Sequence, residues 1–221
     1  MQSASKTSTI DFDLIVKILK KDTKRFPDPL IQQIMALYGN KPYLILMSCL
    51  LSLQSRDVVT LPVSIELFKL AKTPQEMVEL PLTQIQQTLK SINYFKTKAK
   101  LMHTVSHELL YRFEGKVPAD ISELLSIKGV GLKTANLVLA EAFGVPAICV
   151  DTHVHRLSNH WGIVHSKTPE QTESALKKIL PLKHWIIWNY LLVKYGQWIC
   201  KSKKKCTQET CKEILDIVKN S

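Results

Sequence analysis

An all-α fold is predicted by three features of this 221-residue chain. Apolar residues recur at spacings of three and four over most of its length. Glycine is scarce, at 7 residues, which disfavours glycine-rich β architectures. Only one short segment has strand character, and one strand cannot make a sheet.

The elements follow in order. Residues 1–8 are polar and are expected to form a disordered tail. Phe12, Ile15, Val16 and Leu19 share one face of a helix over 11–20. Apolar runs at 43–53 and 58–70 read as two more helices. Thr73-Pro74-Gln75-Glu76 opens another, with a threonine cap, a first-turn proline and a glutamate placed to reach back to the cap. Leu82, Ile85, Leu89 and Ile92 line up over 82–92, and a longer helix is expected at 97–112. Asp120-Ile121-Ser122-Glu123 is a capping box for a short helix over 120–126, and an apolar-periodic helix follows at 132–143. Val-Pro-Ala-Ile-Cys-Val at 145–150 is the candidate strand. Helices at 152–161 and 184–195 complete the set, and Thr168-Pro169-Glu170-Gln171 repeats the earlier capping grammar between them. Trp185 and Trp188, one helical turn apart, read as core packing before a base-stacking platform.

Lysine and arginine number 30 against 19 acids, a formal charge of +11 and a pI near 9.4. That excess points to a polyanionic partner, nucleic acid or an anionic membrane surface. The apolar stretch from Leu44 to Leu53 is too short to span a bilayer, and the polar N-terminus has no signal-peptide core. The expected location is intracellular, the cytoplasm and nucleoid if the cell is bacterial, with no membrane association. Five cysteines do not pair as a secreted framework would. Cys49 and Cys149 read as core residues.

The segment 126–139 carries the most chemistry. A capped short helix leads into Gly129-Val130-Gly131, and a second helix follows. Two glycines around one aliphatic residue allow a tight turn, and backbone N–H groups at a helix N-terminus can approach a phosphate. An ordinary glycine-capped connection is the plain alternative. Lys133 falls in the first turn of the second helix, where the dipole disfavours a cation. That field, with partial burial, favours the free amine, a nucleophile; a phosphate-contacting surface lysine is the alternative. Asp151 lies in Val150-Asp151-Thr152-His153-Val154-His155-Arg156, before the 152–161 helix, as a cap, a functional carboxylate or both. His153 and His155, two apart, do not share a helix face, which argues against a metal pair.

The run Gly129-Val130-Gly131-Leu132-Lys133-Thr134-Ala135-Asn136, followed by Val150 to Arg156, resembles the endonuclease III family of helix-hairpin-helix DNA glycosylases. The likeness extends to Leu50–Asp57 and to Leu191–Cys200, and covers roughly residues 15–211. It implies a two-lobed all-α fold with the active site in the cleft between lobes: a lobe of residues 25–132 ending in the hairpin, and a second of 9–24 plus 133–221. It implies a monomer acting on duplex DNA with a damaged base or an abasic site. Lys133 would attack the sugar, expel the base, form a Schiff base and nick the strand by β-elimination. Asp151 would stabilise the cationic sugar. Lys133 also counts against the adenine-removing branch, which usually lacks it.

DNA-binding roles carry over in the same way. Gln54 matches the residue that fills the gap left by a flipped nucleotide, and Asp57 an acid near the DNA cleft. Tyr94 stands where a leucine wedge follows glycine; here the pair is Asn93-Tyr94, and tyrosine can still stack. Lys128 replaces the usual proline before Gly129, adding a phosphate contact at the cost of turn rigidity. Lys128, Gly129, Val130, Gly131 and His153 join the implied contacts, with Lys203, Lys204 and Lys205 of the basic run.

The C-terminal cysteines depart from the family. A 4Fe–4S cluster takes four thiolates, spaced C-x6-C-x2-C-x5-C in most relatives. Here Cys200, Cys206 and Cys211 stand alone. A remnant without metal, a cluster completed by Glu209 or water, and zinc all remain open; the reaction itself requires no cofactor. The resemblance favours a glycosylase and lyase for oxidised pyrimidines. Its rivals are a relative acting on mismatched thymine or oxidised guanine, and a non-catalytic DNA-binding module.

Overall fold

The computed structural model describes residues 10–201 and 208–221. The tail call at 1–8 and the residues Lys203, Lys204, Lys205 and Cys206 fall outside the described residues. Every regular element among the described residues is helical, as expected. The helices are α1 (Phe12–Thr23), α2 (Leu30–Tyr38), α3 (Pro42–Ser52), α4 (Asp57–Leu70), α5 (Pro74–Glu79), α6 (Leu82–Thr88) and α7 (Phe95–Phe113). There follow α8 (Ile121–Ser126), α9 (Leu132–Phe143), α10 (Thr152–His160), α11 (Pro169–Ile179), α12 (Trp185–Trp198) and α13 (Glu209–Lys219), with a 3₁₀ turn at Leu182–His184.

The chain divides into two compact units. One is Asp28–Ala147; the other joins the residues up to Pro27 with Ile148–Ser221. The second crossing thus falls after Ala147, whereas the resemblance placed it after Leu132. The reason is that α9 packs on α3 and stays with the hairpin that launches it.

In the 28–147 unit, α3 is the central helix. Its residues Tyr43 to Leu51 are all buried, so it is enclosed on every side, and it packs on α2, α4, α7 and α9. The helix α7 lies against α5 and α6. The Thr73 capping box forms in full: Thr73 Oγ1 accepts from Glu76 N–H at 3.2 Å, and the Glu76 carboxylate accepts from Thr73 N–H at 3.0 Å. The N–H groups of Lys72 and Thr73 hold that carboxyl below its ordinary range. Asp120 caps α8 through Ser122 and Glu123 N–H, without the reciprocal bond expected of a box.

In the other unit, α12 packs on α1 and α10, and α1 on α13. Ile15, Leu19, Trp161, Trp188 and Tyr195 lie at the centre of its core. Trp188 is fully buried, edge-on to Phe12 at 5.7 Å, and Trp185 donates to the Leu180 carbonyl at 2.9 Å. Both tryptophans are therefore packing residues. The 145–150 segment is not a strand. Its buried Cys149 instead gives its carbonyl to the Asn189 amide at 3.1 Å.

Two helices carry no clear sequence signal. Pro29 precedes α2 and offers no cap; Asp57 of α4 supplies one from a distance, its Oδ2 accepting from Leu30 N–H at 3.2 Å. The second, α13, occupies what reads in sequence as the cysteine loop.

Candidate active site

The hairpin is built on α7. Gly129 has φ 83°, which favours glycine, and a Cβ there would lie 2.5 Å from Leu101 Cδ1 and push that side chain aside. Val130 is buried and donates to the Ile127 carbonyl at 3.0 Å. Arg112 grips the end of α8 through the Ser126 carbonyl and hydroxyl, at 3.2 and 2.7 Å. Lys128 N–H donates to Glu108 at 3.2 Å. A proline has no N–H to give, so the lysine substitution adds an anchor and offsets the loss of ring rigidity.

Gly131 behaves differently. Its φ is −94°, open to any residue, and a Cβ would meet nothing within 4 Å. It is the N-cap of α9 and, having no side chain, gives that helix no side-chain cap. Lys133 stands in the first turn of α9 and is exposed, so the partial burial expected of it is not found. Its charge reaches into the unit nonetheless. Burial pushes the Cys49 thiol on α3 up to about 12, and the Lys133 ammonium opposes that rise.

Asp151 caps α10. Its Oδ1 accepts from His153 N–H at 2.9 Å and Val154 N–H at 2.8 Å, so the cap engages one of two carboxylate oxygens. The His153 ring lies against Gly196 of α12, where an added Cβ would come 2.8 Å from the ring Cγ. His155 turns elsewhere, its Nδ1 2.6 Å from the Thr172 hydroxyl. The two histidines do not converge.

Asn93, next to Tyr94, links that residue's turn to Gln54. Gln54 and Tyr94 are both exposed, both have left-handed backbone, and Asn93 Nδ2 donates to the Gln54 carbonyl at 3.0 Å. Asp57 is turned to α2, as described. Sequence reasoning missed Lys98, which is 5% exposed and donates to the Leu51 carbonyl at 2.7 Å and the Ser55 hydroxyl at 2.9 Å. The signal was present: Lys98 interrupts the buried face of α7 formed by Ala99, Met102, Val105 and Leu109.

Cys200 and Cys211 are buried, and their sulfurs take N–H donors, from Arg156 at 3.2 Å and Trp161 at 3.3 Å. Glu209 opens α13 and is exposed. No group of three or more His, Cys, Asp or Glu suited to a metal occurs among the described residues. The C-terminal segment carries three cysteines, one short of the four thiolates a cluster takes.

These features define a helix-hairpin-helix protein with a lysine at the hairpin and a capped carboxylate. Residues 47–182 match the HhH-GPD superfamily of base excision DNA repair proteins, and the chain belongs to it. It is 37% identical to the endonuclease III of Thermotoga maritima, over 89% of each chain. It is 36% identical to that of Bacillus subtilis, over 78% of this chain and 80% of the relative. A solved structure of a trapped endonuclease III–DNA covalent intermediate, with an estranged adenine, superimposes with a TM-score of 0.76. That structure is 31% identical and covers 86% of each chain. Among the described residues no helix is long and apolar enough to cross a membrane.

Proposed function

We propose that this protein is a bifunctional DNA glycosylase and abasic-site lyase that removes oxidised pyrimidines from duplex DNA. The observation that carries the reading is the exposed Lys133 in the first turn of α9, immediately beyond the glycine hairpin. N–H groups there bind a backbone phosphate, and Gly131 leaves room for its approach. The damaged nucleotide is taken out of the stack.

The Lys133 amine adds to C1′ as the C1′–N bond breaks, and the base departs with the bonding pair and acquires a proton. Ring opening gives a protonated Schiff base. Loss of a C2′ proton then expels the 3′ phosphate by cleavage of the C3′–O bond, and water releases the enzyme. Asp151 stabilises the positive charge that develops on the sugar and accepts or returns protons. Gln54 and Tyr94 fill the space the nucleotide leaves, the amide meeting the orphaned base and the phenol stacking. Lys128 and the basic run at Lys203, Lys204 and Lys205 add backbone attraction. The chemistry requires no metal, whatever the cysteines hold.

Borohydride trapping on a duplex with one abasic site tests the reading. Wild type should give a covalent band, and Lys133→Gln should lose it while still binding the duplex. A band of full intensity in the variant would overturn the assignment.

A further inference from the structure

Left-handed backbone in residues with a Cβ persists only where the surroundings hold it. Three described non-glycine residues adopt it: Gln54 at φ 54°, Tyr94 at φ 57° and Glu114 at φ 53°. Glu114 is the C-cap of α7, an ordinary place for such a conformation. Gln54, one past the C-cap Leu53 of α3, is also at a common place for it, but Tyr94 is an N-cap, where extended backbone is usual.

The two turns are tied together at the start of α7. Tyr94 is the N-cap there, its carbonyl accepting the first helical bond from Lys98 N–H at 2.9 Å. The buried Lys98 ammonium binds the other turn, at the Leu51 carbonyl and the Ser55 hydroxyl, on either side of Gln54. Burial lowers Lys98 to about 8, so the ammonium persists at neutral pH. Asn93 closes the gap with its amide bond to the Gln54 carbonyl. A glycine at position 93 would have no side chain to make that bond.

We propose that Asn93 and Lys98 are positioning residues that hold Gln54 and Tyr94 as one preset unit, so that both side chains enter an opened duplex together. This rests on the reading above, in which Gln54 and Tyr94 fill the vacated stack. A backbone already in place loses less conformational freedom when the side chains insert, which speeds extrusion without adding a contact.

A double-mutant cycle tests the coupling. The duplex carries one thymine glycol with 2-aminopurine on the opposite strand beside it, so fluorescence follows unstacking and single-turnover quench follows excision. Asn93→Asp keeps the side-chain shape but cannot donate to the Gln54 carbonyl, and the residue is exposed, so folding is not at stake. In the wild-type background it should slow both signals roughly tenfold. In a Gln54→Ala background it should slow them little further. Equal slowing in both backgrounds, or none in the first, would overturn the coupling. A wild-type protein that traps no abasic DNA would instead overturn the proposed reaction, and this inference with it. Lys98→Met, if it folds, should behave as Asn93→Asp does; additivity with Gln54→Ala would again count against the unit.

Discussion

Gly129 rests on Leu101: a single added carbon on the glycine would lie 2.5 Å from the leucine Cδ1. The glycine turn proposed to meet DNA is therefore seated on α7, and protein contacts hold its shape. Gly129→Ala should destabilise the fold by about 1–3 kcal/mol, from positive φ and overpacking together. Adding Leu101→Ala should restore only the packing share. Gly131→Ala, with open space around it, should leave stability unchanged and weaken duplex binding. Denaturant melts and binding titrations would check both; a fully stable Gly129→Ala would mean that α7 does not support the turn.

The two roles of Asp151 can be separated. Asparagine caps helices as well as aspartate does, but carries no charge. Asp151→Asn should therefore keep the melting temperature while slowing excision roughly 10²–10³-fold, the range for lost electrostatic stabilisation. Asp151→Ala should lose about 1 kcal/mol of stability as well. If Asp151→Asn excised at the wild-type rate, the carboxylate would be a cap and nothing more.

Glu141 gives a pH signature to the 28–147 unit. Burial raises its carboxyl to about 7, against a smaller opposing effect of the Gln32 side chain. The folded state therefore binds a proton that the unfolded state releases between about 4.5 and 7. Stability is highest below that window and falls as pH rises through it. Glu141→Gln should remove this slope and stabilise the protein at pH 8 by on the order of 2–3 kcal/mol. Parallel pH–stability curves for the two proteins would refute the assignment.

Much of the fold was readable in the residues. Thr73 and Thr168 announced their helices, because a cap and its partner lie within one turn of each other. The start of α2 was not readable, since its cap, Asp57, comes from another helix. The strand expected at 145–150 failed for a related reason. Its apolar residues are buried, but Cys149 finds a side-chain amide where a strand would need a neighbouring strand. At the hairpin, both glycines looked alike in sequence. Only packing distinguishes Gly129, seated on Leu101, from Gly131, kept open.

By itself the sequence determined the helical class, the positions of most helices, and the order of motifs that places the chain among the base excision repair proteins. Each is a local property, set by periodicity, capping and residue identity within a few turns. Tertiary structure alone decided that Lys98 reaches under Gln54, that Asn93 joins Gln54 to Tyr94, that Glu108 takes the N–H of Lys128, and that α9 remains with the unit carrying the hairpin. These relationships join residues distant in the chain. The lysine amine is brought within hydrogen-bond reach of the Leu51 carbonyl by the packing of α7 against α3, a meeting of two helix surfaces that neither helix encodes alone.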